Sequence, residues 1–216
     1  MNRRIVVLVI SIITAVGFVA AAIFQQQFSS EQEIVPPAPL DPNSLVRSYS
    51  PVIGPKSAPV TIVEFFDPSC GACRILYPIV KQVLAEHPGD VRLVMRYVLF
   101  HRGSEEAARI LEVARKQGLF VPILEAILDA QADWHDDPEA QKAWEAAAAT
   151  GLDVEKAREV ILSSEIDAVL NNDMADVKAI GIRRTPTFFV NGVPLTKLGA
   201  EPLRELVRSE IERAAQ

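Results

Sequence analysis

The chain of 216 residues is poor in the side chains that build metal centres and disulfide scaffolds, with only two cysteines and three histidines. A disulfide framework is excluded, because small scaffolds of that kind need several bridges. Positive charge is also scarce. Only Arg3 and Arg4 of the 22 basic residues lie within the first 24 positions, and everything after carries 20 basic against 28 acidic residues, a net of -8. No nucleic-acid partner is expected of such a surface. Apolar residues at 49% and a mean hydropathy of +0.17 fit a chain that folds around a core.

Beyond Arg3 and Arg4, Ile5 to Phe24 carries no charge. At about 1.5 Å per residue it reaches roughly 30 Å, the thickness of a bilayer's hydrocarbon core. The basic residues before it and acidic residues after it put the N-terminus in the cytoplasm and the rest across the membrane. The expected organisation is a membrane anchor or signal segment over 1–24, a Pro-rich linker over 25–59 and a folded domain over 60–216. Ala20-Ala21-Ala22 offers a signal-peptidase site, so cleavage of residues 1–22 is the alternative. The location is then the bacterial inner membrane facing the periplasm, or the soluble periplasm. The linker rests on seven of the fifteen prolines falling between Pro36 and Pro59.

Val60 to Phe66 is a β-branched and aromatic run of strand length, and Asp67-Pro68-Ser69 turns it into a helix that starts near Cys70 and stops near His87-Pro88-Gly89. Val91 to Leu99 is a second strand. A helical block follows, about residues 103–175, with Ser104 and Asp153 as candidate caps and Asp137-Pro138 opening one helix. Trp134 and Trp144 read as its core or rim. Asn191-Gly192 accepts positive φ and joins Thr187–Val190 to Val193–Thr196 as a hairpin, and an amphipathic helix over Pro202–Ala214 closes the chain. The fold class is α/β with an inserted helical subdomain, preceded by one transmembrane helix.

The two cysteines form one Cys70-Gly71-Ala72-Cys73 pair where strand passes into helix. A cysteine at a helix N-terminus meets unpaired N–H groups and the positive end of the helix dipole, which lower its pKa. Cys70 is thus the candidate nucleophile and Cys73 the thiol that resolves its mixed disulfides, the two forming a redox-active disulfide. A structural role is weak because the closed loop is so short. Zinc needs four ligands, and His87, His101 and His135 are scattered. A copper(I) carrier holding its metal on both thiolates remains a competing reading. No resident cofactor or metal is expected. Asp67 is expected to raise the Cys70 pKa, and Arg74, Arg183 and Arg184 to lower it, against the plainer reading that all three arginines are simply solvated. His101 reads as a loop residue.

Glu64 stands six residues before Cys70 and is followed by Phe65-Phe66, Pro78 lies eight residues after Cys70, and Thr185-Pro186-Thr187-Phe188-Phe189-Val190-Asn191-Gly192 follows the helical block. From Val60 to about Ala214 this ordered set resembles the DsbA-like branch of the thioredoxin superfamily. The resemblance implies a thioredoxin fold interrupted by a helical cap and thiol-disulfide exchange with exported cysteine-containing proteins. It also implies a membrane redox partner that recycles the pair. Thr185 and Pro186 match the family's cis-proline loop, where substrate peptide docks. Glu64 matches its buried acid, a proton relay to Cys73, against the plainer reading of a strand-end carboxylate. Oxidase members carry Pro-His between the cysteines and a residue other than Thr before the proline. Gly71-Ala72 and Thr185 are closer to reductase or isomerase relatives, so the direction of electron flow stays undecided.

Overall fold

The computed structural model describes residues 40–216. The expected membrane segment lies outside the described residues. Among those residues no helix is long and apolar enough to cross a membrane.

A five-stranded sheet organises the domain, in the order β1 (Val52–Ile53), β3 (Val91–Tyr97), β2 (Val60–Phe66), β4 (Thr187–Val190), β5 (Val193–Pro194). β2 and β3 run parallel, with Val60 opposite Val91 and Phe66 opposite Tyr97. Parallel neighbours need a long crossover, which α2 (Gly71–Glu86) supplies. β4 pairs antiparallel with β2, setting Glu64 opposite Phe188. Because β2 is central and covered on both faces, all seven of its residues are buried, and it reads as one continuous apolar run rather than an alternation.

Side chains nevertheless alternate. Val60, Ile62 and Phe66 pack with Cys73, Tyr77, Val80 and Val83 of α2, whereas Val63 and Phe65 pack on the other face with Val94, Val177 and Phe189. Glu64 shares the parity of the first set and therefore faces α2. Arg96 of β3 is wholly buried on the second face and binds Asp173 at 2.8 Å and the Leu45 carbonyl at 2.6 Å. Tyr49 and the Tyr97 amide complete the shell of Asp173.

Between β3 and β4 lie α3 (Ser104–Lys116), α4 (Phe120–Asp129), a 3-10 turn (Gln131–Asp133), α5 (Gln141–Ala149), α6 (Val154–Val160) and α7 (Ser164–Ile180). The expected start of a helix at Asp137-Pro138 is late by three residues: Ala140 sits in the left-handed region (φ 45°) and α5 begins at Gln141. The Asp137 carboxylate accepts the Glu139 and Gln141 amides, so it caps the preceding turn. Asp153 caps α6 as its sequence position suggests, accepting the Lys156 amide. α7 serves two cores. Its Ile166, Val169 and Leu170 pack with the helical block, while Val177 packs on the sheet. The hairpin turn has both Asn191 and Gly192 at positive φ. α8 (Ala200–Ala214) closes the fold over β2 and β4.

The Pro-rich linker over 25–59 is corrected for its second half. The Leu40 amide bonds the Gly192 carbonyl, a short helix α1 (Pro42–Leu45) buries Leu45 completely, and β1 extends the sheet beyond β3. A two-residue edge strand has no periodicity of its own, and prolines suit sheet edges, so this segment reads as spacer until its partners are seen.

Candidate active site

Cys70 lies where the chain leaves the end of β2. Its backbone is extended (φ -76°, ψ 118°), α2 starts one residue later, and its amide bonds the Asp67 carbonyl at 3.0 Å. Three groups from the helical block hold this corner. Gln131 donates to the carbonyls of Pro68 (2.6 Å) and Cys70 (3.1 Å) and accepts from Arg74 Nε. Ser104 Oγ donates to Asp67 Oδ1 at 2.5 Å. Gly103 passes so close that a Cβ there would sit 2.9 Å from the Asp137 carbonyl and 3.1 Å from Ser69 Oγ, which only glycine avoids. Neither Gln131 nor Gly103 has a periodic or motif signal that marks it in the sequence.

Both cysteines are free thiols and buried. The Cys70 pKa is brought down to about 5, chiefly by the hydrogen bond from the Cys73 side chain; burial opposes this, and the Thr185 side chain and the Cys73 and Ala72 amides add to it. These donors satisfy a thiolate better than a thiol. Cys73 is driven strongly the other way, first by burial, then by its bond to Cys70 and the charges of Glu64 and Cys70. One sulfur is thus an anion at neutral pH and its neighbour keeps its proton.

The arginine expectation is corrected. No arginine is among the leading influences on Cys70: Arg74 turns to Gln131, and Arg183 and Arg184 are exposed. Asp67 is not among them either. Its buried carboxylate is saturated by the amides of Ser69 and Phe100, by Ser104 Oγ and by His101 Nδ1. Ser104, expected as a cap, spends its hydroxyl on this carboxylate, with Gly103 at the cap position. His101 is in a loop, as its sequence position suggests, but with its ring bound at 2.8 Å.

Glu64 is wholly buried, and neither of its carboxyl oxygens has a hydrogen-bond partner among the described residues. Burial first, and the Cys70 charge second, push its pKa up to about 8. A carboxyl in this setting holds a proton at pH 7 and can release it when its surroundings change. The Thr185-Pro186 peptide is cis and faces the pair, with the Thr185 carbonyl 3.3 Å from Cys70 Sγ. Trp134 and Trp144 belong to the core of the helical block, bonding the Ile127 carbonyl and Glu106.

A β-α-β unit with Cys-x-x-Cys opening its helix, a cis-proline turn against the thiols and helices inserted before the last hairpin define a thioredoxin-like fold. A family model described as thioredoxin matches residues 47–209. Among solved structures, a thioredoxin-like oxidoreductase from Silicibacter pomeroyi is 27% identical with a TM-score of 0.68, covering 80% of this chain and 96% of that one. BdbD from Bacillus subtilis is 25% identical with a TM-score of 0.69, covering 76% and 94%. Wolbachia pipientis α-DsbA1, at 16% identity and a TM-score of 0.72, shares the fold over 82% and 98%. Among curated sequences, a Na(+)/H(+) antiporter NhaA of Herminiimonas arsenicoxydans is 33% identical over 139 residues, 64% of this chain and 22% of that protein. The antiporter NhaA 1 of Mycolicibacterium gilvum is 29% identical over 83% of this chain and 30% of its own length. The chain therefore spans less than a third of these curated relatives. It belongs to the thioredoxin family.

Proposed function

We propose that the chain exchanges disulfides with exported cysteine-containing proteins through Cys70 and Cys73, as a domain held at the bacterial inner membrane by residues 5–24 or released into the periplasm by cleavage. The asymmetry between the two sulfurs supports this best: Cys70 is brought down to about 5 while Cys73 stays protonated. In one direction the Cys70 thiolate attacks a substrate disulfide, the substrate S–S bond breaks, and the departing sulfur takes up a proton. Once the Cys70 charge is gone Glu64 releases its own proton to solvent, its carboxylate takes the proton of Cys73, and Cys73 attacks the Cys70 sulfur. The Cys70–Cys73 bond forms, the second substrate sulfur leaves, and two electrons have passed to the substrate. The reverse sequence oxidises a substrate dithiol. In the mixed disulfide the Cys70 charge is gone, so one of the two influences that raise Glu64 is removed and its carboxylate becomes easier to form. Thr185 and Pro186 supply the backbone against which a peptide docks, and a membrane redox partner returns the pair to its starting state.

Cys70→Ser is expected to abolish exchange with a disulfide-bonded peptide, and Cys73→Ser to accumulate mixed disulfides on Cys70. Parental turnover in both variants overturns the reading. Copper(I) carriage is the weaker alternative, because a two-thiolate site requires deprotonating Cys73, which its surroundings oppose. The antiporter names belong to proteins of which this chain spans less than a third, and no ion transport is proposed for this chain. Membrane retention is tested by fractionating cells that express the full chain, with and without Ala20-Ala21-Ala22 replaced by leucines.

A further inference from the structure

The Asp67 carboxylate is completely buried, and each oxygen takes two donors: the Ser69 amide and Ser104 Oγ on Oδ1, the Phe100 amide and His101 Nδ1 on Oδ2. Of these four only the imidazole can bring a compensating positive charge. Its side chain is 46% exposed, so it exchanges protons with solvent while its partner does not. The Asp67 carbonyl is bonded to the Cys70 amide, so the acid that orients the histidine also shapes the corner carrying the reactive sulfur.

We infer that His101, oriented by Asp67, is a positioning residue that supplies the charge compensation the Cys70 thiolate lacks within its own Cys-Gly-Ala-Cys loop, so that the redox poise of the pair follows the protonation of a histidine on the β3–α3 connection. The inference rests on the exchange chemistry proposed above. The charged groups facing the imidazole are Asp67 from the β2–α2 loop, Cys70 at the start of α2 and Asp136 from the loop before α5, itself paired with His135; Arg102 is its exposed chain neighbour. Burial pulls the His101 pKa down, but the hydrogen bond and charge of Asp67 outweigh it, and the Cys70 thiolate and Asp136 push the same way, so the net direction is upward. Coupling between two sites is reciprocal: whatever the thiolate contributes to the imidazolium, the imidazolium returns to the thiolate. With the proton on His101 the buried carboxylate is balanced and the thiolate is favoured. Once His101 is neutral, Asp67 and Cys70 are two anions with only neutral donors.

The test is the equilibrium of the full chain with glutathione, in which the Cys70–Cys73 disulfide and two glutathione thiols give the dithiol and glutathione disulfide, measured with thiolate absorbance from pH 4.5 to 9.5. His101→Gln removes the charge and keeps a hydrogen-bonding side chain for Asp67; His101→Lys keeps a charge throughout the range. Between about pH 5 and the titration of His101, H101Q is expected to shift the equilibrium about three- to tenfold toward the disulfide, a change of up to one pKa unit at Cys70. Above that titration parent and H101Q converge, while H101K holds the low-pH behaviour of the parent to higher pH. Coincident parent and H101Q curves at every pH overturn the inference, as does an equal shift in H101Q and H101K, which marks loss of the imidazole's packing instead of its charge. Failure of the parent to equilibrate with glutathione at all overturns the proposed function itself.

Discussion

Thr185 holds Cys70 from across 115 positions of sequence in two ways: its carbonyl oxygen lies 3.3 Å from Sγ and accepts from the thiol, while its side chain donates to the thiolate. Both protonation states of the sulfur therefore have a partner on one residue. A hydrogen bond to a charged group contributes about 1.5–3 kcal/mol, so Thr185→Val, which keeps shape and carbonyl but loses the hydroxyl, is expected to raise the Cys70 pKa by about 1–2 units. Thiolate absorbance against pH measures this; an unmoved titration rules out the side-chain contact.

The leading influence on Cys70 is its own partner in the pair. Cys73→Ala removes that donor and is expected to raise the Cys70 pKa above that of the Cys73→Ser variant, whose hydroxyl still donates. Alkylation of Cys70 at pH 6 should accordingly be fastest in the parent, slower in the serine variant and slowest in the alanine variant. The same order from both variants in unfolded protein would show that the effect does not come from the fold.

Glu64 gives a pH dependence of definite sign. Its pKa in the fold is about 8 against 4.5 for a free glutamate, so between these values the native state holds a proton that the unfolded state has lost. Stability from this group is full below about pH 4.5 and falls as pH rises through 8, by an amount approaching about 5 kcal/mol. Cys70, whose pKa is lowered, acts in the opposite sense in the reduced protein, gaining stability between about pH 5 and 9. Denaturation of the disulfide form isolates the glutamate, with the smaller decline that burial alone produces once the Cys70 charge is gone. Glu64→Gln should flatten its decline with pH and slow mixed-disulfide resolution about 10- to 100-fold.

Much of this arrangement is legible in the sequence where local chemistry decides it. Val60–Phe66, the helix after Cys70, the Asn191-Gly192 turn and the Asp153 cap each follow from residue type and spacing alone. Tertiary partners are not legible. Asp67 reads as a charge beside the thiol, yet its four donors come from Ser69 and from the β3–α3 region some 33 to 37 positions away. Asp137-Pro138 has the chemistry of a helix start, but the left-handed Ala140 intervenes. Nothing in the strand marks Arg96 as the buried partner of Asp173 of α7, which reaches it from the other side of the insertion.

Gln131 ties the helical block to the thiol loop, and the consequence is measurable. Gln131→Leu fills a similar volume but leaves the Pro68 carbonyl without its donor, while the Cys70 carbonyl keeps only the Arg74 amide. A buried unsatisfied group costs about 1–3 kcal/mol, so a loss of that size is expected, a fall of about 2–12 °C in Tm at about 2–4 °C per kcal/mol for a domain of this size. Exchange should slow by more than the folded fraction accounts for, because Cys70 loses its fixed position. An unchanged Tm in calorimetry would show that the bonds contribute nothing net.

The folded domain begins before the strand that carries the thiol pair, and truncation separates the two boundaries. A chain starting at residue 40 retains the bond from Leu40 to Gly192, buried Leu45, the Arg47–Asp176 pair, Tyr49 on Asp173 and the β1–β3 pairing. A chain starting at residue 60 loses all of them. It also strips the Leu45 carbonyl from the buried Arg96 guanidinium, leaving that charge one acceptor short inside the fold. Breaking into a buried charged network costs about 3–5 kcal/mol, and exposing the face that Leu45 covers adds about 2 kcal/mol. Urea denaturation should therefore give the longer chain a single cooperative transition and the shorter one a midpoint far lower, or no folded baseline. Equal midpoints would return residues 40–59 to the status of a spacer.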